Sequence, residues 1–264
     1  MEPIIEVQGA GKSFGGIRVL KDIRFEVKPG EFFGVIGPNG SGKSTLLRLI
    51  SGVDPLTEGR ILLQGREVAG YARKELARWL AVLQQDALPP LGFTVREVVE
   101  MGRFPFQNWL GEDREDAAAL IDRIMRRLDL EPLADRTVEN LSGGQKQRVA
   151  LAKVMAQQPR LLLLDEPTTY LDIGYQMQLM DYVRQWQREE GLTVVAVLHD
   201  LNLAALYCER LLVVHGGEGI SIGTPEEIMR SELILDVYGT EPIVLEHPDH
   251  GIPQILLRRG DGIE

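Results

Sequence analysis

The chain has a single cysteine, Cys208, in 264 residues. That excludes an internal disulfide and a cysteine-held metal cluster, and it fits a reducing cytosol. Histidine is nearly as scarce, and His199, His215, His247 and His250 show no helical zinc-binding spacing. No apolar run approaches the ~20 residues that a membrane-spanning helix needs, so the chain is not expected to cross a bilayer by itself. The opening stretch MEPIIEVQGA lacks the charged-then-apolar pattern of an export signal. Positive charge is in deficit: 29 Lys and Arg against 39 Asp and Glu leave a net charge of −10. A chain so charged is disfavoured on nucleic-acid phosphate backbones, and the acidity is read as solubility. Internal repeats and low-complexity tracts are missing as well. What remains is 44% apolar, enough for the core of one large domain or two small ones.

The pattern along the chain is that of an α/β protein. Residues 4–31 alternate and are broken by Gly pairs and Pro-Gly, which predicts antiparallel strands. FFGVIG (32–37) reads as a short buried strand, LLRLISGV (46–53) as helix and ILLQGREV (61–68) as one strand. ARKELARWLAVLQQ (72–85) runs from helix into strand. Between Asp86 and Asn140 the character changes. Ala117, Leu120, Ile121, Ile124, Met125 and Leu128 recur at three- and four-residue steps, so an amphipathic helix is expected there. LLLLD (161–165) and TVVAVLH (193–199) are candidate parallel strands. The tail from Glu241 has short strand-like pieces without readable chemistry.

Two motifs carry chemistry. Gly37-Pro38-Asn39-Gly40-Ser41-Gly42-Lys43-Ser44-Thr45 fits G-x-x-x-x-G-K-[ST] between a strand and a helix, the context the motif requires. Its glycines let backbone N–H groups turn toward phosphate oxygens, and the following helix adds its positive end. Lys43 is expected to reach the β- and γ-phosphates and Ser44 to ligate Mg²⁺. The second motif is LLLLDEP. Two adjacent ionised carboxylates at the end of an apolar strand are costly unless each has a task. Asp165 is the candidate for holding Mg²⁺ through a bound water, and Glu166 for activating the attacking water. A third element, Leu141-Ser142-Gly143-Gly144-Gln145, opens a helix with an N-capping serine and a glycine pair, a further anion site in a chain with only one phosphate loop.

LSGGQKQR followed by LLLLDEP resembles the ATP-binding cassette (ABC) ATPases, from about Ile4 to Tyr238. The resemblance implies a P-loop NTPase core, a mixed sheet with an antiparallel β subdomain over 1–85 and 159–240, with a helical subdomain inserted at about 86–158. Residues 241–264 would be a C-terminal extension. It also implies a head-to-tail homodimer of cassettes, in which the signature residues 141–145 of one chain close on ATP held by the other. Gln85 then corresponds to the glutamine that senses Mg²⁺ and the attacking water, with Gln84 one register away. His199 corresponds to the switch histidine at the γ-phosphate. Asp172 falls in the inter-cassette contact loop. Phe14 falls where an aromatic stacks on adenine, and a core aromatic is the even alternative.

VREVVEMGRFPF (95–106), DEPTTYLDIGYQ (165–176) and HDLNLAALYCERLLVV (199–214) resemble the ATPases of ferric siderophore, haem and vitamin B12 importers. Tyr175 stands where that group usually has histidine. The expected role is ATP hydrolysis driving an importer, at the cytoplasmic face of the inner membrane. The expected partners are permease subunits and, indirectly, a solute-binding protein, with no nucleic acid. Arg103, Phe104 and Pro105 are candidates for the permease interface, the alternative being a local turn. A soluble ABC ATPase acting on ribosomes or DNA is the competing class, disfavoured by the single cassette and the acidic balance.

Overall fold

The computed structural model describes residues 2–84, 92–108 and 117–258. They form two compact units, one from the residues up to Gly70 together with those from Thr193 onward, the other Tyr71–Leu192.

The first unit begins with strands β1 (Ile5–Phe14) and β2 (Ile17–Val27), paired antiparallel from Ile5↔Val27 to Phe14↔Ile17. Gly15 and Gly16 join them, both at positive φ (55° and 86°), the combination that closes a two-residue hairpin with the right twist. β3 (Phe32–Ile36) is buried at every residue. Helix α1 (Lys43–Ile50) follows, then β4 (Glu58–Leu63) and β5 (Arg66–Glu67). ILLQGREV is therefore a hairpin rather than one strand. Gln64 and Gly65 take positive φ (50° and 75°) and fold β5 back on β4. The resulting antiparallel sheet has the order β2-β1-β4-β5.

The second unit opens with a short helix α2 (Arg73–Leu76) and β6 (Leu80–Leu83). Helix α3 (Val95–Glu100) starts at a reciprocal cap: the Thr94 hydroxyl accepts from Glu97 N–H and Glu97 accepts from Thr94 N–H. Helix α4 (Ala118–Arg127) buries Ile121, Ile124 and Met125, the face expected from the spacing. Helix α5 (Gly143–Ala156) and strand β7 (Leu161–Asp165) follow. β6 and β7 pair in parallel, Leu80↔Leu161 to Leu83↔Leu164. Helix α6 (Ile173–Glu190) ends at Gly191, which adopts the left-handed conformation (φ 66°) that terminates helices. Gly102 lies against α5, and a Cβ there would come within 2.1 Å of the Lys153 carbonyl oxygen.

The chain then returns to the first unit with β8 (Thr193–Val197), α7 (Leu201–Tyr207), β9 (Arg210–His215) and β10 (Glu218–Gly223). β3 lies between β8 and β9, parallel to both, while β10 adds antiparallel to β9. A strand covered on both faces must be apolar at every position, which is why FFGVI and TVVAV do not alternate. The Phe25 and Phe33 rings stack at 5.3 Å where the antiparallel sheet meets β3. The chain closes with α8 (Pro225–Ile228), α9 (Ser231–Tyr238) and an antiparallel hairpin of β11 (Pro242–Glu246) and β12 (Pro253–Leu257). The short strand-like pieces of the tail are this hairpin.

Gly102→Ala should destabilise the protein by about 1–3 kcal/mol, because the new methyl must displace helix backbone rather than a flexible side chain. A urea midpoint lowered at unchanged slope is the expected result.

Candidate functional site

Strand β3 ends at Ile36 and delivers Gly37 into a loop that only glycine can follow. Gly37 has φ 149°, and a Cβ there would sit 2.0 Å from the Val214 carbonyl oxygen of β9. Gly42 has φ 101°, with Leu20 of β2 2.5 Å from where its Cβ would be. Pro38, Asn39 and Gly40 arch between them, Ser41 N–H closing the turn on the Pro38 carbonyl. No side chain caps α1, so its first N–H groups face the loop. Lys43 is buried, and its ammonium curls over the loop onto the Gly37 and Pro38 carbonyls at 2.9 Å each. The Ser41 hydroxyl is buried without a hydrogen-bond partner. A buried donor without an acceptor, an uncapped helix start and a lysine resting on carbonyls that a stronger anion can replace together fit a polyphosphate. Ser44 and Thr45 occupy the first turn of α1.

The partner strand sets the next element. Val35 pairs with Val197, and Leu198 N–H donates to the Val35 carbonyl, so the chain leaves β8 beside the phosphate loop. His199 is exposed there. Asp200 then caps α7, its carboxylate accepting from Asn202 and Leu203 N–H at 2.8 and 3.1 Å. Phe14 is not a core ring. It is 46% exposed at the end of β1, with the Lys12 ammonium 4.7 Å from its centroid.

In the second unit, Leu161–Leu164 are fully buried and Asp165 emerges half-buried at the strand end. Glu166 takes φ 52°, a left-handed conformation unusual for a glutamate, which turns it away from the strand direction. The following turn is tied down three ways. Gln147 of α5 donates to the Pro167 carbonyl at 3.0 Å. Gln176 of α6 donates to the Thr168 and Leu171 carbonyls. Asp172 caps α6 by accepting from Tyr175 N–H at 3.0 Å. Tyr170, at φ 64°, is 92% exposed beside it.

Leu141 is buried. Ser142 and Gln145 form a reciprocal cap at the start of α5. Gly143 has open space above it, whereas Gly144 lies under the Tyr175 ring, 2.5 Å from where a Cβ would be. Gln85 lies outside the described residues. Gln84 follows β6, at the same edge of the β6–β7 pair as Asp165. Arg103 is buried, donating to the Ala156 carbonyl and Gln158 and lying 4.0 Å from the Phe106 centroid. Phe104 beside it is 56% exposed, and Pro105 accepts from Arg78 through its carbonyl.

Two contacts, one at the phosphate loop and one in the helix after His199, were not legible in the sequence. Burial pushes the phenol of Tyr238 in α9 up to about 12, against a smaller opposing effect of the Gly37 backbone beside it, so it stays protonated near neutrality. Asn202 of α7 pairs through its side chain with the backbone of Ile255 in β12. No local motif signals either one, since the partners lie 201 and 53 positions apart (238 − 37 and 255 − 202).

The family model described as ABC transporter matches residues 20–169. An ABC transporter ATP-binding protein of Bacillus subtilis is 40% identical over 96% of this chain, which spans 58% of that protein's length. The ferric enterobactin transport ATP-binding protein of Escherichia coli is 40% identical over 92% of this chain and 90% of its own. Among solved structures, a metal-chelate type ABC transporter in an inward-facing conformation superposes with a TM-score of 0.84 over 98% of each chain at 23% identity. With the phosphate loop, the acid pair and the signature helix in place, the chain belongs to the ABC transporter family as an ATP-binding, ATP-hydrolysing subunit.

Proposed function

We propose that this protein powers an importer of an iron chelate (a ferric siderophore or haem) or a cobalamin-like chelate through a separate permease. The observation that carries this reading is the 40% identity to a ferric enterobactin transport protein over nearly the whole of both chains. The GRFP and TTYLD stretches support it further. Among the described residues, no helix is long and apolar enough to cross a membrane. The cassette domain covers 1–240, with a helical subdomain at about 86–158 and an extension from 241. It works as a homodimer on the cytoplasmic face of the inner membrane. A solute-binding protein acts indirectly, through the permease. Phe104 presents its exposed ring to the permease, and Arg103 and Pro105 hold the turn beneath it.

The chemistry is hydrolysis of the γ-phosphate. Residues 37–45 cradle the phosphates, and Lys43 exchanges its two carbonyl partners for the β- and γ-oxygens. Phe14 offers a π-face to adenine. Ser142, Gly143 and Gly144 of the partner cassette close on the γ-phosphate, with Leu141 and Gln145 holding them in place. Ser44, Asp165 and Gln85 would hold Mg²⁺, which supplies charge neutralisation at the phosphates. Glu166 takes the proton of the attacking water. His199 holds the γ-phosphate from the end of β8. Asp172 sits at the contact between cassettes.

Glu166→Gln should keep ATP affinity, lose about a hundredfold or more in turnover, and accumulate an ATP-bound dimer in size-exclusion chromatography. Turnover at the parental rate would refute the assignment of the base. Lys43→Ala should abolish ATP binding by equilibrium dialysis while leaving the circular dichroism spectrum unchanged. For the transport reading, tagged protein drawn from detergent-solubilised membranes of its host should bring down a many-helix permease in equal amount. Ribosomal or DNA-repair proteins without an integral membrane partner would sink it.

A further inference from the structure

The C-terminal segment has no chemistry of its own, yet it touches the ATP site at two places within one compact unit. The first is α7. This two-turn helix starts directly after His199 and is too short to hold its own position. Asp200 caps its first turn. The other polar hold described is Asn202, whose side chain pairs with both backbone groups of one residue in β12. The Ile255 N–H donates to Asn202 Oδ1 at 2.7 Å, and Asn202 Nδ2 donates to the Ile255 carbonyl at 3.2 Å. Ile255 is buried at the same point. A two-point pairing fixes both the direction and the register of α7 against the hairpin.

The second place is the end of α9. Tyr238 meets the backbone of Gly37, the first glycine of the phosphate loop. One residue earlier, the Val237 carbonyl lies 3.1 Å from His215 Nδ1, at the end of β9. The same end of β9 supplies the Val214 carbonyl that presses on Gly37. α9 thus grips both the loop and the strand that shapes it. The connection to the hairpin is short: α9 ends at Gly239 and β11 begins at Pro242.

We propose that Asn202 and Tyr238 are positioning residues of the ATP site, through which residues 231–257 brace the helix after His199 and the first glycine of the phosphate loop. The proposal rests on the reading of His199 as the γ-phosphate contact. Displacements of an ångström at such a contact change rates strongly while leaving ground-state binding nearly intact.

The test is steady-state ATP hydrolysis by the full-length chain, with kcat and KM measured separately and the thermal midpoint recorded for each variant. Asn202→Ala should lower kcat about tenfold with KM for ATP changed less than about twofold. Asn202→Asp keeps the acceptor for the Ile255 N–H but sets a carboxylate oxygen against the Ile255 carbonyl, so it should lose kcat to a similar extent. Tyr238→Phe should show the opposite split, KM raised about threefold at nearly parental kcat. Parental kcat and KM in Asn202→Ala and Tyr238→Phe would overturn the proposal. So would losses that only follow a lowered midpoint. If Asn202→Ala does not fold, Asn202→Asp and Tyr238→Phe decide, since neither removes packing volume. A parental chain that binds ATP without hydrolysing it overturns the proposed function itself, whereas active parental protein with unaffected variants overturns only the brace.

Discussion

A Cβ on residue 37 would stand 2.0 Å from the Val214 carbonyl oxygen, and much of the first unit is arranged around that close approach. A polyphosphate carries several negative charges, and backbone N–H groups are the donors that can be packed most densely around it. The loop must therefore be tightly curled, and its curvature is enforced from outside. β9 presses on Gly37 and Leu20 of β2 presses on Gly42. Between them, Ser41 keeps a buried hydroxyl without a partner and Lys43 waits on two carbonyls. The polar cost of this arrangement is offset when an anion arrives.

The second unit solves a related problem with the acid pair. Two adjacent carboxylates cannot both point along an apolar strand, and the left-handed turn at Glu166 separates them. That conformation is strained for a glutamate, so the surrounding structure must hold it. Gln147 comes from the signature helix, and Gln176 and Asp172 come from α6. The Tyr175 ring of α6 finds room over Gly144, which has no side chain to clash.

The motifs that could be read from the sequence are those whose physics is local. The phosphate loop, the N-cap at Ser142 and the apolar face of α4 depend on residues within a few positions of one another. ILLQGREV failed as a single strand for the opposite reason. Its apolar residues run on as a strand would, and the turn rests on Gln64 accepting a positive φ, which glutamine does not advertise. Arg103 is a milder case. An arginine in an exposed-looking turn suggests a docking surface, but its guanidinium is spent on the C-terminal end of α5, and the exposed group is Phe104.

The sequence by itself determined which chemistry the chain can perform, because a nine-residue phosphate loop and a strand-end acid pair are contiguous and their geometry follows from backbone rules. It determined the apolar strands as well, since burial on both faces leaves no freedom in residue type. Only the tertiary structure decided that Phe14 is an exposed ring, that Tyr238 reaches Gly37 and that Asn202 is locked to Ile255. These are contacts between segments distant in the chain. Their formation depends on where strands and helices pack, and no spacing rule along the sequence carries that information.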